Sequence, residues 1–414
     1  MFKKKLKNSN NLKSLIINFI SLALINAVNF VVPIFIIPFL VKKVGVENYG
    51  KYAFVFAFIF YFLYISQFGF SLTAVRDIAK NKNDLEKVNS IYNNVLNTKF
   101  FVLFVCFIIL LTLVFSIDKL YEEKFLVLTT FLIVVGDVIG PTWLFQGMEK
   151  MKFVTIINVL AKLTYIILVL VFIKIPSDYL YIGLLQSIGF LVSGVITIYL
   201  AHKQFNIKYR LSSINEIINQ LKYSFSSFIT LIIPLLYVNT SSVIMGFLGQ
   251  DKHVAYFDTS YKVSNGFVSI NQILTNALYP FVSRKENMIK LASILLISVG
   301  AFMTILSFLL SEFIIINIMN LDMKESILPL KILCLSPLFL SIRSAFGVNY
   351  LLVKNHDKLY MKIAMFSSIF SFIIGFMIIQ KWYSVGAAVV VVLAQGLYSL
   401  ISMFFALKFM RNER

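Results

Sequence analysis

The chain has 414 residues, of which 59% are hydrophobic and only 14% charged, with a formal net charge of +19. Soluble domains carry roughly a quarter charged residues, so a soluble globular protein is excluded. The positive charge falls in short polar gaps between long apolar runs, which points to membrane topology and anionic headgroups and away from nucleic acid.

The apolar runs predict about twelve spans, at 15–41, 52–74, 100–117, 125–146, 153–173, 179–201, 223–248, 255–282, 291–316, 327–353, 360–380 and 384–407. Each reaches roughly the 20 residues a membrane helix needs. The runs are continuous, without the alternation of a barrel strand, so helices are predicted throughout. The basic start, Lys3 to Lys13, is followed by about 26 apolar residues, too long for a cleavable signal, and reads as an uncleaved first span. The starting segment, the even-numbered links and the tail hold 25 Lys and Arg against 11 in the odd-numbered links. That asymmetry predicts both termini in the cytoplasm.

The link from Gly45 through Glu47 and Tyr49 to Tyr52 is echoed by the link from Gly249 through Asp251 to Tyr256, 204 residues later. This offset, near half the chain, predicts two parallel repeats and a division into residues 1–207 and 208–414. Prolines fall in matching spans, Pro33 and Pro38 with Pro234, and Pro141 with Pro329 and Pro337. Interrupted helices in corresponding places predict a substrate site, although proline is also common in membrane helices generally.

Few groups inside the spans can carry chemistry. Asp137 stands thirteen residues from both Lys124 and Lys150, about 20 Å from either end, where a carboxylate needs water, a cation or a proton. It is the candidate ion-coupling residue. Arg343 lies about 16 Å from the cytoplasmic end, and a guanidinium fork suits a diphosphate. A structural pair between Arg343 and Asp137 is the competing reading. Lys162, nine residues into its span, is a second candidate anion ligand, unless it snorkels. Asn26, Asn29 and Asn239 are candidate ligands for hydroxyls, as are Asn271, Gln272 and Asn276, though any single amide is as readily a helix–helix hydrogen bond. Asp258 and Lys262 read as an interfacial i,i+4 pair.

Cys106 and Cys334 lie in separate apolar runs, and His202, His253 and His356 in separate loops, so neither a disulfide nor a metal site is expected. The chain lacks the phosphate-binding G-x-x-x-x-G-K-[ST] loop and a Ser/His/Asp set, and its outer links are short. No enzyme, cofactor or nucleic-acid partner is expected.

Several segments resemble one family. They are Phe19 to Pro38 followed by Val44 to Tyr52, Phe68 to Ala79, Pro141 to Lys152, and Ala277 to Arg284. They are similar to the Wzx-type O-antigen and polysaccharide flippases of the multidrug/oligosaccharidyl-lipid/polysaccharide superfamily. The resemblance implies an all-α integral membrane protein of the bacterial cytoplasmic membrane, with twelve helices in two six-helix bundles around a cationic lumen. It implies translocation of an undecaprenyl-diphosphate-linked oligosaccharide, an O-antigen or capsule repeat unit, from the inner to the outer leaflet by alternating access. A proton or sodium gradient, membrane lipids, a glycan polymerase and assembly proteins are the partners implied. Alternatives are a MATE-like drug/cation antiporter of the same superfamily, or a membrane enzyme of glycan assembly such as a polymerase.

Overall fold

The computed structural model describes residues 24–233, 238–282, 288–319 and 321–412. The basic starting segment, Pro234 and Ser283–Arg284 therefore lie outside the described residues. Every regular element among the described residues is helical. Backbone groups in hydrocarbon must be satisfied within their own segment, which a helix achieves and an open strand does not.

In order the helices are α1 (Leu24–Val44), α2 (Val46–Gln67), α3 (Phe70–Asn81), α4 (Leu85–Ser116), α5 (Asp118–Glu122), α6 (Lys124–Ile139), α7 (Thr142–Gly147) and α8 (Met151–Phe172). They continue with α9 (Tyr179–Phe205), α10 (Ile214–Ile232), α11 (Asn239–Phe247), α12 (Asp251–Val282), α13 (Ile289–Phe313), α14 (Ile327–Leu333), α15 (Ser336–Ile342) and α16 (Asp357–Asn412). A π-helical stretch, Arg343–Leu352, follows α15. Among the described residues nine helical segments are long and apolar enough to cross a membrane. One of them, α16, covers two predicted spans, bent at Tyr383, whose φ is 44° and ψ −118°. The predicted spans 223–248 and 255–282 correspond to α10–α11 and α12.

The outward faces are apolar. Phe104, Ile167, Leu309 and Met377 are all more than half exposed, as side chains facing lipid are.

Cα packing divides the chain into two compact units, Met1–Val28 with Phe58–Ile232, and Asn29–Ala57 with Ile233–Arg414. This differs from a division between residues 207 and 208. Residues 29–57 pack with the second unit and 208–232 with the first.

In the first unit α6 and α9 meet backbone to backbone. A Cβ on Gly136 would lie 2.6 Å from the carbonyl carbon of Phe190, and one on Gly194 would lie 2.6 Å from the Gly136 oxygen. Small residues permit this approach where lipid offers no hydrophobic drive for association. Gly69, at φ 77°, turns the chain between α2 and α3, and a Cβ there would strike the backbone of Phe228 on α10. A second feature is a strap. The segment 206–213, which has no regular secondary structure, runs along α4 and is held by asparagines one turn apart. Asn93 donates to the Lys208 carbonyl and accepts from the Arg210 amide, both at 2.9 Å. Asn97 donates to the Arg210 carbonyl at 2.8 Å, and Asn89 accepts from the Lys208 amide at 3.0 Å. Amide side chains suit this because each supplies both a donor and an acceptor to a backbone that lacks a strand partner.

In the second unit α12 is stitched to the segment before and within α15. Ser260 donates to the Ser326 carbonyl (2.8 Å), Ser264 to the Leu333 carbonyl (2.9 Å) and Asn271 to the Pro337 carbonyl (3.0 Å). Leu333 is the residue four before Pro337, so its carbonyl is the one that proline leaves without a helical donor. Asn271 is fully buried, and its amide nitrogen ties α12 to α15 in this way.

Candidate functional site

Asp137 lies in the last turn of α6, immediately before the break at Gly140–Pro141. Its partner is Lys99. The Lys99 ammonium lies 3.0 Å from Asp137 Oδ2 and donates, also at 3.0 Å, to the Asp137 main-chain carbonyl. That carbonyl is four residues before Pro141, which has no N–H to offer it. One lysine therefore neutralises the carboxylate and replaces the backbone donor that the proline removes. Gln67 Nε2 donates to the other carboxylate oxygen at 3.2 Å. The Lys99 side chain is only 3% exposed and that of Asp137 20%. A half-neutralised pair at this depth is expensive, so each charge depends on the other.

Hydropathy places Lys99 in the link before the third span, whereas the structure places it within α4. Asp84 caps α4 by accepting the Lys87 amide, and neither Gly nor Pro interrupts the sequence from Leu85 to Ser116. The helix consequently runs through Lys99 into the apolar run. The unbroken helix-forming stretch was the available signal.

A second charged cluster is built in the other unit from the two repeat-like links. Asp258, on α12, accepts from the Tyr49 hydroxyl at 2.5 Å and pairs with Lys262 at 2.7 Å. The Lys262 ammonium also lies 5.8 Å from the Tyr49 ring and 5.9 Å from the Phe56 ring, in cation–π range. Tyr49 is 1% exposed. The links themselves touch. Glu47 lies 3.8 Å from Lys252, and a Cβ on Gly50 would overlap the Asp251 carbonyl. Asp258 and Lys262 are thus the i,i+4 pair that their spacing predicts, with Tyr49 as an addition that the sequence did not disclose.

Arg343 opens the π-helical stretch and stands with its guanidinium 5.1 Å from the Tyr398 ring, which in turn lies 5.1 Å from Tyr360. A π-helical stretch is uncommon and is frequent at functional sites. Lys162 is half-buried on α8, Asn26 half-buried on α1, and Asn29 exposed on α1. Asn239 starts α11, with its amide nitrogen buried and lacking an acceptor among the described residues. Asp137, Lys162 and Asn26 belong to the first unit, and Arg343, Asn239 and Asn29 to the second. Gln272 and Asn276 are exposed on α12. Among the described residues no group of three or more His, Cys, Asp or Glu is placed to hold a metal ion, and Cys106 and Cys334 are separate buried thiols.

Ionisable residues inside membrane helices are rare, costly and usually paired, which makes these clusters the candidate functional groups. Residues 15–286 match the family described as "Polysaccharide biosynthesis protein". The chain belongs to that family. Within the polysaccharide biosynthesis family it is 28% identical, over 409 residues, to a "Putative O-antigen transporter" of Escherichia coli (strain K12), spanning 96% of this chain and 98% of that protein. A protein of the same description from Shigella dysenteriae is 27% identical over 65% of this chain and 67% of its own length. The fold is shared with solved membrane transporters. "Lipid II flippase MurJ, inward closed conformation" superposes with a TM-score of 0.70 at 17% identity, covering 96% of this chain and 87% of that one. An inward-facing multidrug resistance MATE family transporter of the MOP superfamily gives 0.68 at 13% identity, covering 94% and 95%. This family member is therefore an all-helical, multi-pass membrane protein of the MATE and MurJ fold.

Proposed function

We propose that this protein is a flippase that carries an undecaprenyl-diphosphate-linked oligosaccharide from the inner to the outer leaflet by alternating access, coupled to a proton or sodium gradient. The observation that carries the reading is the retention of Arg343 and of the buried Lys99–Asp137 pair inside the spans of a polysaccharide biosynthesis family member. The name of the Escherichia coli relative, similar along nearly its whole length, supports it.

The chemistry is that of replacing water. A diphosphate and a set of sugar hydroxyls lose several kcal/mol per unmet polar group on entering hydrocarbon. Arg343 meets the diphosphate, because a guanidinium offers two parallel donors to phosphate oxygens, and Lys162 is the second candidate anion ligand. Asn26, Asn29 and Asn239 meet hydroxyls, since an amide both donates and accepts. Asp137 is the ion-coupling group, and Lys99 is its counter-charge. A proton or sodium ion arriving at Asp137 competes with the Lys99 ammonium and loosens the pin at the Pro141 break. The two repeat-derived bundles, which the sequence divides at 1–207 and 208–414 and which exchange residues 29–57 and 208–232 in the packed units, are the moving parts of the cycle. Such a protein is a transporter and makes or breaks no covalent bond.

The test is surface display of glycan from cells that carry Arg343→Ala as the sole copy. The variant is expected to insert normally and to display no glycan, with partial rescue by Arg343→Lys. Wild-type display from Arg343→Ala removes this arginine from the substrate path. Export of cationic dyes with intact glycan display in a deletion strain favours the antiporter alternative.

A further inference from the structure

The first unit contains an apolar groove of about 440 Å³ between α2 and α4 that the charged clusters do not use. Phe58, Tyr61 and Ile65 form one wall, and Phe101, Val105 and Ile109 the other. The floor is buried, with Phe62 at 5% and Cys106 at 2% exposure, while Phe101 and Ile109 on the rim are more than 40% exposed. On α4 the lining runs from Phe101 to Leu113, about 18 Å of helix. The lining on α4 is elongated and its rim is exposed, which suits a chain better than a compact solute.

Its two ends differ. Toward one end the same two helices carry Gln67 and Lys99, members of the polar cluster around Asp137. Leu221 closes the lining near Phe68, and its neighbour in sequence, Lys222, is exposed. On the orientation that the Lys and Arg asymmetry predicts, this is the cytoplasmic end. The opposite end, near Leu113, has no charge along its lining. Lys99 is already neutralised by Asp137, so the exposed Lys222 is the cation offered to an anionic head at the cytoplasmic end, and a single chain directed toward the outer face suits the uncharged remainder. The walls also favour a thick, unsaturated chain. The rings of Phe58, Tyr61, Phe62, Phe68 and Phe101 offer flat faces, and Val102 and Cys106 leave depth for branch methyls.

We propose that the groove between α2 and α4 holds the polyprenyl chain of the lipid-linked substrate, with the anionic head leaving it at the Lys222 end. This rests on the flippase reading. The groove fixes the tail while the head crosses, so the protein recognises the carrier lipid independently of the sugars attached to it.

The experiment uses the full chain in nanodiscs of phosphatidylethanolamine and phosphatidylglycerol doped with undecaprenyl diphosphate. p-Benzoylphenylalanine replaces Val105 on the rim or, as a control, Met377 on α16, which is exposed and does not line the groove. Illumination and mass spectrometry are expected to give undecaprenyl adducts at position 105 and phospholipid adducts at 377. In parallel, Val105→Trp and Ile109→Trp fill the groove and are expected to weaken undecaprenyl diphosphate binding about tenfold, the equivalent of losing roughly two buried methylenes. Phospholipid adducts alone at position 105, or unchanged binding by both Trp variants, overturns the groove assignment and leaves the flippase reading standing. No binding of undecaprenyl diphosphate by the unaltered chain overturns both.

Discussion

The Lys99 ammonium and the main-chain carbonyl of Asp137 are 3.0 Å apart, and that carbonyl is the one Pro141 leaves without a donor. The same ammonium holds the Asp137 carboxylate at 3.0 Å. Charge pairing and repair of a helix break are thus one interaction. Removing either partner leaves a charge deep in the protein, at a cost of about 3–5 kcal/mol. Lys99→Met and Asp137→Asn are each expected to lower the thermal midpoint of the purified protein in detergent. Because Asp137→Asn keeps the carbonyl but loses the charge, Lys99→Met/Asp137→Asn is expected to be more stable than the sum of the single changes allows. Strict additivity in that double-mutant cycle removes the pair as a coupled unit.

The strap on α4 makes a local prediction. Asn93 bonds both the Lys208 carbonyl and the Arg210 amide, so Asn93→Ala orphans two backbone groups. Each such loss costs about 1–3 kcal/mol where water cannot replace the partner. Hydrogen exchange at residues 206–213 is expected to accelerate in Asn93→Ala while the helices α6 and α9 keep their protection. Unchanged exchange across the strap means that the asparagines do not hold it.

How much of this was legible in the sequence depends on the scale of the interaction. The spans were legible because a continuous apolar run has only one solution in a bilayer. Gly45 and Gly249 were legible as a repeated turn, and both adopt positive φ, 84° and 71°. Asp137 stood out because a carboxylate among apolar residues must have a reason. Lys99 did not, since it ends a polar stretch that includes Asn93, Asn94 and Asn97, and hydropathy placed the membrane boundary just after it. Nor did the role of Asn271, which fills the Pro337 carbonyl, because that pairing depends on which helix lies beside which. Backbone repair by distant side chains leaves no periodic trace.

Tyr49 tests whether the second charged cluster acts as a unit. It donates to Asp258, which also holds Lys262, and the Lys262 ammonium reaches the Tyr49 oxygen at 3.3 Å. Tyr49→Phe keeps the ring and its cation–π contact and removes only the hydroxyl. A hydrogen bond to a charged acceptor contributes about 1.5–3 kcal/mol, so a measurable fall in the unfolding midpoint is expected. In the Asp258→Asn background the same change is expected to cost much less. An equal cost in both backgrounds means the hydroxyl acts on something other than the carboxylate.

His253 gives the chain a pH dependence of predictable sign. It lies just before the predicted span 255–282, stacked 4.8 Å from the Tyr383 ring with Nδ1 3.2 Å from Ser384 Oγ. Burial pushes its pKa below the ordinary 6.5, with the charge of Glu325 acting in the opposite direction and losing. The unfolded chain therefore takes up this proton first as the pH falls. Folding stability is unaffected by His253 well above pH 6.5, and declines as the pH drops through that value toward the depressed folded one. Asp84 and Glu216 do not interfere in this window. Backbone hydrogen bonds from Lys87 and Ser213 hold them below the usual carboxylate range, so they titrate further down. His253→Gln keeps a polar group beside Ser384 but cannot titrate. Thermal unfolding followed between about pH 8 and pH 5 is expected to be flatter in His253→Gln than in the parent, even if the variant is less stable at the alkaline end. Parallel curves for the two proteins across that range assign the acid sensitivity elsewhere.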